Sequence, residues 1–193
     1  MAASINRPWK LYADRKIVHF AYFYVLWFAL QFGVKAPVSI SELGFWGALQ
    51  AAGSDFINPH STLWFIYMLP IFFVATWALR SVSKWLIFAI AAILQILPVH
   101  VGVVAIDQFA AQFVYFFAGY AFAPIVFELA KKARDNTGLA LQLLAAWAFI
   151  NAGFVFVPLS GWLSDIAGNA ADLPGLALIF GLAGAMAITS VAA

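Results

Sequence analysis

No cysteine occurs among the 193 residues, so disulfide frameworks, thiolate nucleophiles and cysteine-based zinc sites are excluded. Charge is nearly as scarce. Asp, Glu, Lys and Arg together make up 9% of the chain, against 65% hydrophobic residues. Soluble domains carry about 25% charged residues to cover their surface, and this chain falls far short. Also missing are HExxH, a P-loop, any Cys/His metal pattern and a strict GxxxG repeat. The net charge of +2 is too small to suggest a nucleic-acid partner. What remains is apolar and aromatic, with 20 Phe and 8 Trp and a mean hydropathy of +0.95. That is the profile of a polytopic membrane protein whose partner is the lipid bilayer.

Six stretches contain no Asp, Glu, Lys or Arg: Ile17–Val34, Ser61–Leu79, Trp85–Ile106, Gln108–Phe127, Leu139–Ser164 and Leu173–Ala193. Each is close to the about 20 apolar residues that cross a hydrocarbon core of about 30 Å as a helix. None alternates as barrel strands do, and helices satisfy their own backbone groups in lipid. The stretch behind Met1–Lys16 is too long for a signal peptide and lacks a small-residue cleavage pattern, so it reads as a retained span.

The basic residues set the orientation. Arg7, Lys10, Arg15, Lys16, Arg80, Lys84, Lys131, Lys132 and Arg134 fall on one set of connections, and Lys35 alone on the other. The positive-inside rule then puts both termini in the cytoplasm. The expected fold is all-α: a polytopic membrane helix bundle of six transmembrane helices in a single domain over residues 1–193. Residues 1–16 are cytoplasmic, and residues 35–60 form a long external loop. Within that loop, Phe45, Trp46 and Leu49 of "SELGFWGALQ" suit the membrane interface. Asn58 before Pro59 reads as the cap of the second span, Asp107 as that of the fourth, and Asn136 or Thr137 as that of the fifth. The last span stops at "AITSVAA" with no charge behind it, which reads as part of a longer sequence.

Three constellations carry candidate chemistry. In "DRKIVHFAYFY", Arg15, His19 and Tyr22 sit at i, i+4 and i+7 on one helix face, with Lys16 and Lys10 beside them. A cationic inner mouth suits a phosphate-bearing ligand; ordinary snorkelling to headgroups gives the same pattern. At the outer mouth His60, Trp64 and Tyr67 share a face, where rings and an imidazole suit a sugar or a proton transfer. An aromatic belt or packing explains them equally well, and Pro70 behind them implies a kink. In "AAQFVYFFAGYAFAP", Gln112, Tyr115 and Gly119 line one face with Tyr120 next to it. Gln31, Gln95 and Asn151 read as interhelical hydrogen-bonding groups, and His100 as an interfacial residue. No carboxylate lies within any of the six runs, which counts against an ion-coupled carrier.

The order "DRKIVHFAYFYVLW", "TLWFIYMLPIFF" and "FVYFFAGYAFAPIVF" resembles the integral-membrane acyltransferase family 3, bacterial enzymes that O-acylate surface and secreted carbohydrates. The resemblance covers most of residues 9 to 130. It implies about ten membrane helices in the inner membrane, of which this chain holds part. It also implies acyl-CoA as cytoplasmic cosubstrate with no bound cofactor or metal, and transfer of an acetyl or similar group to a carbohydrate acceptor. The family's basic cluster falls on Arg15 and Lys16, with His19 in the place of a further arginine. These three are the donor-binding candidates. His60, Trp64, Tyr67, Gln112, Tyr115 and Tyr120 are the acceptor-path candidates. The family's catalytic histidine lies on a helix upstream of the matched region, so no catalytic residue is assigned here and the chain by itself is expected to be inactive. The alternative is a six-helix membrane transporter or flippase-like protein.

Overall fold

The computed structural model describes residues 9–59, 63–97, 99–156, 169–170 and 173–191. Every element formed by them is a helix: α1 (Trp9–Ala13), a wide π turn (Asp14–Val18), α2 (His19–Ile57), α3 (Leu63–Ala78), α4 (Lys84–Ile96), α5 (Val104–Ala121), α6 (Ala123–Asp135), α7 (Thr137–Phe156) and α8 (Pro174–Val191). The chain gathers into two compact units, Met1–Ile87 with Val99–Phe113, and Phe88–Pro98 with Val114–Ala193. Two helical stretches, Trp9–Ile57 and Thr137–Phe156, are long and apolar enough to cross a membrane, and the bent pair α5–α6 makes a third. The remaining apolar helices, Leu63–Ala78, Lys84–Ile96 and Gly175–Thr189, are shorter.

In the first unit, the segment expected as an external loop is helical as far as Ile57. Its break is at Gly44, whose φ of 72° and ψ of 169° lie in a region open essentially to glycine alone; another residue there costs about 1–3 kcal/mol. Beyond Gly44 the helix comes back along its own first half. Tyr24 Oη donates to the Phe56 carbonyl at 2.6 Å, and the Phe28 and Phe56 rings meet edge to face at 5.0 Å. Phe45, Trp46 and Leu49 stay exposed.

α3 lies antiparallel to the start of this helix. Tyr67 meets Tyr24 at 5.3 Å, Phe73 stacks on Phe20 at 5.5 Å, and Trp77 meets Trp9 at 4.4 Å. Met68 and Phe72 are fully buried, and the Phe72 ring sits 5.8 Å from that of Phe113. Apolar residues surround α3 instead of forming a stripe, as expected of a helix that meets protein and lipid together.

The third and fourth apolar runs separate at residues 97–103 instead of at Ile106–Gln108. Gly102 turns the chain with a φ of 81°. Asp107, inside the first turn of α5, reaches back to accept the N–H groups of Val101 at 2.7 Å and Gly102 at 3.0 Å. Asn58 is likewise recruited elsewhere than expected. Its Oδ1 accepts the Val104 N–H at 3.4 Å, so it satisfies the start of α5.

In the second unit the expected fourth span bends by 70° between α5 and α6. Phe122 leaves helical geometry there, with φ −105° and ψ 12°, and Pro124 opens the first turn of α6. Proline has no N–H to continue the ladder and its ring excludes a straight helix. α6 is amphipathic, with an exposed ion pair between Lys132 and Glu128 at 2.9 Å. Asn136 then caps α7 as expected, its Oδ1 accepting the Leu139 N–H at 3.2 Å. α8 offers two glycines a turn apart to neighbouring rings. A Cβ on Gly181 would stand 2.7 Å from the Tyr115 ring, and one on Gly184 2.6 Å from Trp147. Tyr115 Oη donates to the Ala177 carbonyl at 3.4 Å beside them.

Candidate functional site

The most distinctive surface of the first unit joins positive charge to flat rings. α1 and the π turn supply Trp9, Tyr12 and Lys16. The end of α3 supplies Phe73 and Trp77 from one face, and Arg80 follows in the turn just beyond it. Tyr12 Oη donates to the Phe73 carbonyl at 3.1 Å, a buried bond across 61 residues of sequence. Lys16 Nζ stands 5.3 Å from the centre of the Phe73 ring. The Arg80 guanidinium covers Trp77 at 3.7 Å and donates to the Trp77 carbonyl at 3.3 Å. Cations over ring faces in this range are held by the ring quadrupole. The Trp9 ring meets the same indole at 4.4 Å.

Several charges surround this face. Lys10, Arg15, Arg80 and Lys84 are exposed, Lys16 is half-buried and Asp14 is the acid among them. Next to the rings, the Thr76 hydroxyl and the Trp77 indole N–H are buried with no hydrogen-bond partner among the described residues.

The π turn alters the expected arrangement of Arg15, His19 and Tyr22. Its five residues, Asp14–Val18, bond one position further along than in an α-helix, so the i, i+4, i+7 spacing of an α-helix does not hold through it. All three are exposed. His19 rests against Phe23 at 4.9 Å and Phe20 at 5.6 Å, with no polar partner among the described residues. Lys16 thus belongs to the cationic face, Arg15 is exposed one residue before it on the π turn, and His19 rests on its own ring shelf.

The outer constellation is only partly visible, because His60 lies outside the described residues. Trp64 is half-buried against Phe65 at 5.9 Å. Tyr67 is half-buried in a ring cluster with Tyr24, which itself packs on Phe56 at 5.3 Å. Rings fill this region, which is what packing requires.

On α5, Gln112 is half-buried in the first unit, while Tyr115 and Tyr120 belong to the second. Tyr115 is committed to α8 through Ala177 and Gly181. Tyr120 meets the Phe117 ring at 5.7 Å. Gly119 is open to approach, with nothing within 4 Å of a Cβ built on it.

Trp9, Trp77 and Arg80 were not among the residues that the sequence pointed to as a site. Trp77 and Arg80, three apart at a helix end, were the available signal, but an arginine there is also what any inner membrane boundary carries. Among the described residues no three His, Asp or Glu side chains gather where a metal ion would sit. The arrangement offers cations and stacking planes, which are tools for holding a phosphate-bearing, ring-bearing ligand. The chain matches no protein-family profile, no curated protein and no solved structure.

Proposed function

We propose that the chain is part of an inner-membrane O-acyltransferase that draws an acetyl or similar acyl group from acyl-CoA and passes it to a cell-surface or secreted carbohydrate. The observation that carries this reading is the cationic ring face of Lys16, Trp77 and Arg80. Coenzyme A pairs a flat adenine with phosphates at one end and a thioester at the other. Arg15, Lys16 and Arg80 suit the phosphates through charge-assisted hydrogen bonds. The exposed Trp9 ring suits the adenine by stacking, with Trp77 behind it already covered by Arg80. The thioester then points along the helices into the membrane.

Orientation follows from the distribution of Lys and Arg: with both termini cytoplasmic and six spans, this face is cytoplasmic, where acyl-CoA is found. The shorter apolar helices α3, α4 and α8 complete the six. The chain reads as one part of a larger bundle of about ten helices, by analogy with the family it resembles. In that family the general base precedes the region matched here, so the step that deprotonates the acceptor hydroxyl is assigned to no residue of this chain. Trp64, Tyr67, Gln112, Tyr115 and Tyr120 remain candidates for the acceptor path, with packing as their visible role.

One observation favours the transporter or flippase-like reading. Carriers build their sites at interrupted helices, and α5–α6 is interrupted by a bend of 70°. Against it, no Asp or Glu lies within five residues of the bend at Phe122.

A photoreactive acetyl-coenzyme A analogue tests the proposal. It is expected to label peptides spanning 9–20 and 73–84 and to be displaced by unlabelled acetyl-coenzyme A. Undisplaceable labelling, or labelling confined to other segments, contradicts the acyltransferase reading.

A further inference from the structure

In the second unit, α6, α7 and α8 line a half-open slot of about 360 Å³. Leu143 and Trp147 of α7 and Ala183 and Met186 of α8 form its walls, and Lys132, Asn136 and the indole of Trp147, whose N–H has no partner among the described residues, are the polar groups that line it. The lining of α7 runs from Leu139 to Trp147, about 12 Å of helix at 1.5 Å per residue. The slot is therefore elongated, half-open and mostly apolar, with a cationic residue among its lining.

The polar lining has donors to spare. Asn136 uses its Oδ1 on the Leu139 N–H, which leaves its amide N–H groups with no partner among the described residues. Lys132 pairs with Glu128, and both side chains are about seven-tenths exposed; a pair of that kind is weak and yields readily to a phosphate. Lys131 and Arg134 lie alongside, and three basic residues outnumber Glu128 and Asp135 over this stretch.

We propose that this slot seats one acyl chain of an anionic phospholipid, with the headgroup phosphate held between Lys132 and Asn136. A helix about 10 Å across is too wide for a slot of this size, whereas a single hydrocarbon chain fits it. An unfilled apolar slot forfeits the dispersion contacts of its walls, and basic pockets between membrane helices on the cytoplasmic side are suited to anionic headgroups. The site is independent of the acyltransferase reading, whose donor face belongs to the first unit.

Native mass spectrometry of the whole detergent-solubilised chain, titrated with phosphatidylglycerol and with phosphatidylcholine of the same chains, tests the proposal. Phosphatidylglycerol is expected to bind saturably and about fivefold more tightly than phosphatidylcholine, and Lys132→Gln to remove about that fivefold preference, the effect of one basic residue at an anionic surface. Ala183→Phe, which fills the slot, is expected to abolish retention of both lipids. Lys132 is exposed, so Lys132→Gln decides even if the bulkier variant fails to fold. Equal retention of the two lipids, or a preference unchanged by Lys132→Gln, overturns the assignment.

Discussion

Exchanging Arg80 for alanine is expected to weaken acetyl-coenzyme A binding by about 10- to 100-fold, the equivalent of losing one charge-assisted hydrogen bond of about 1.5–3 kcal/mol. Arg80 is exposed just beyond the end of α3, and its contacts are with its own Trp77. Helix content and thermal midpoint should therefore stay close to those of the parent chain. Arg80→Lys restores the charge but neither the planar stack on Trp77 nor the bidentate reach, so its affinity should fall between the two. Weaker binding at higher salt in the parent, with a shallower dependence in Arg80→Ala, would mark the contact as ionic. An affinity unchanged in Arg80→Ala would remove the end of α3 from the donor site.

The second large effect is on stability. Gly184→Val should lower the free energy of unfolding in detergent by about 3 kcal/mol, the upper part of the range for overpacking a filled site. Even a bare Cβ at this position would meet the Trp147 ring at 2.6 Å. The Trp147 ring must turn into the neighbouring slot or α8 must move off α7. Gly153→Val provides the comparison, because a Cβ there meets nothing within 4 Å. It should be nearly neutral. Thermal unfolding followed by circular dichroism measures both, and equal losses in the two variants would contradict the seating of Trp147 on α8.

Helices were legible in the sequence because long runs without charge leave the backbone few other options, although two of the six expected spans, or three with the bent pair, are long and apolar enough to cross a membrane. The Asn136 cap was legible too, since a capping side chain ahead of an apolar run is a local signal. The break between α4 and α5 was misplaced because Pro98 and Gly102 lie within unbroken hydropathy, and Asp107 looked like a cap in front of a helix when it reaches back from inside one. The turn at Gly44 rests on one backbone angle, which composition does not reveal. The π turn widens one helical turn without changing any residue type, so regular α-helical spacing does not describe the step from Arg15 to Tyr22. Tyr67 finds its partner in Tyr24, 43 positions earlier, and in a chain with 20 Phe and 6 Tyr no pattern singles out that pair. Arg80 was counted as a marker of sidedness, and its stacking on Trp77 depends on rotamers that become visible only in three dimensions.

The most direct test of the donor face is a calorimetric titration of the detergent-purified chain with acetyl-coenzyme A, with Arg15→Ala beside it. Saturable binding that weakens or disappears in the variant is the predicted result, and it would place the phosphates at the π turn. No saturable heat from a folded, helical chain would contradict the claim that this face holds the donor.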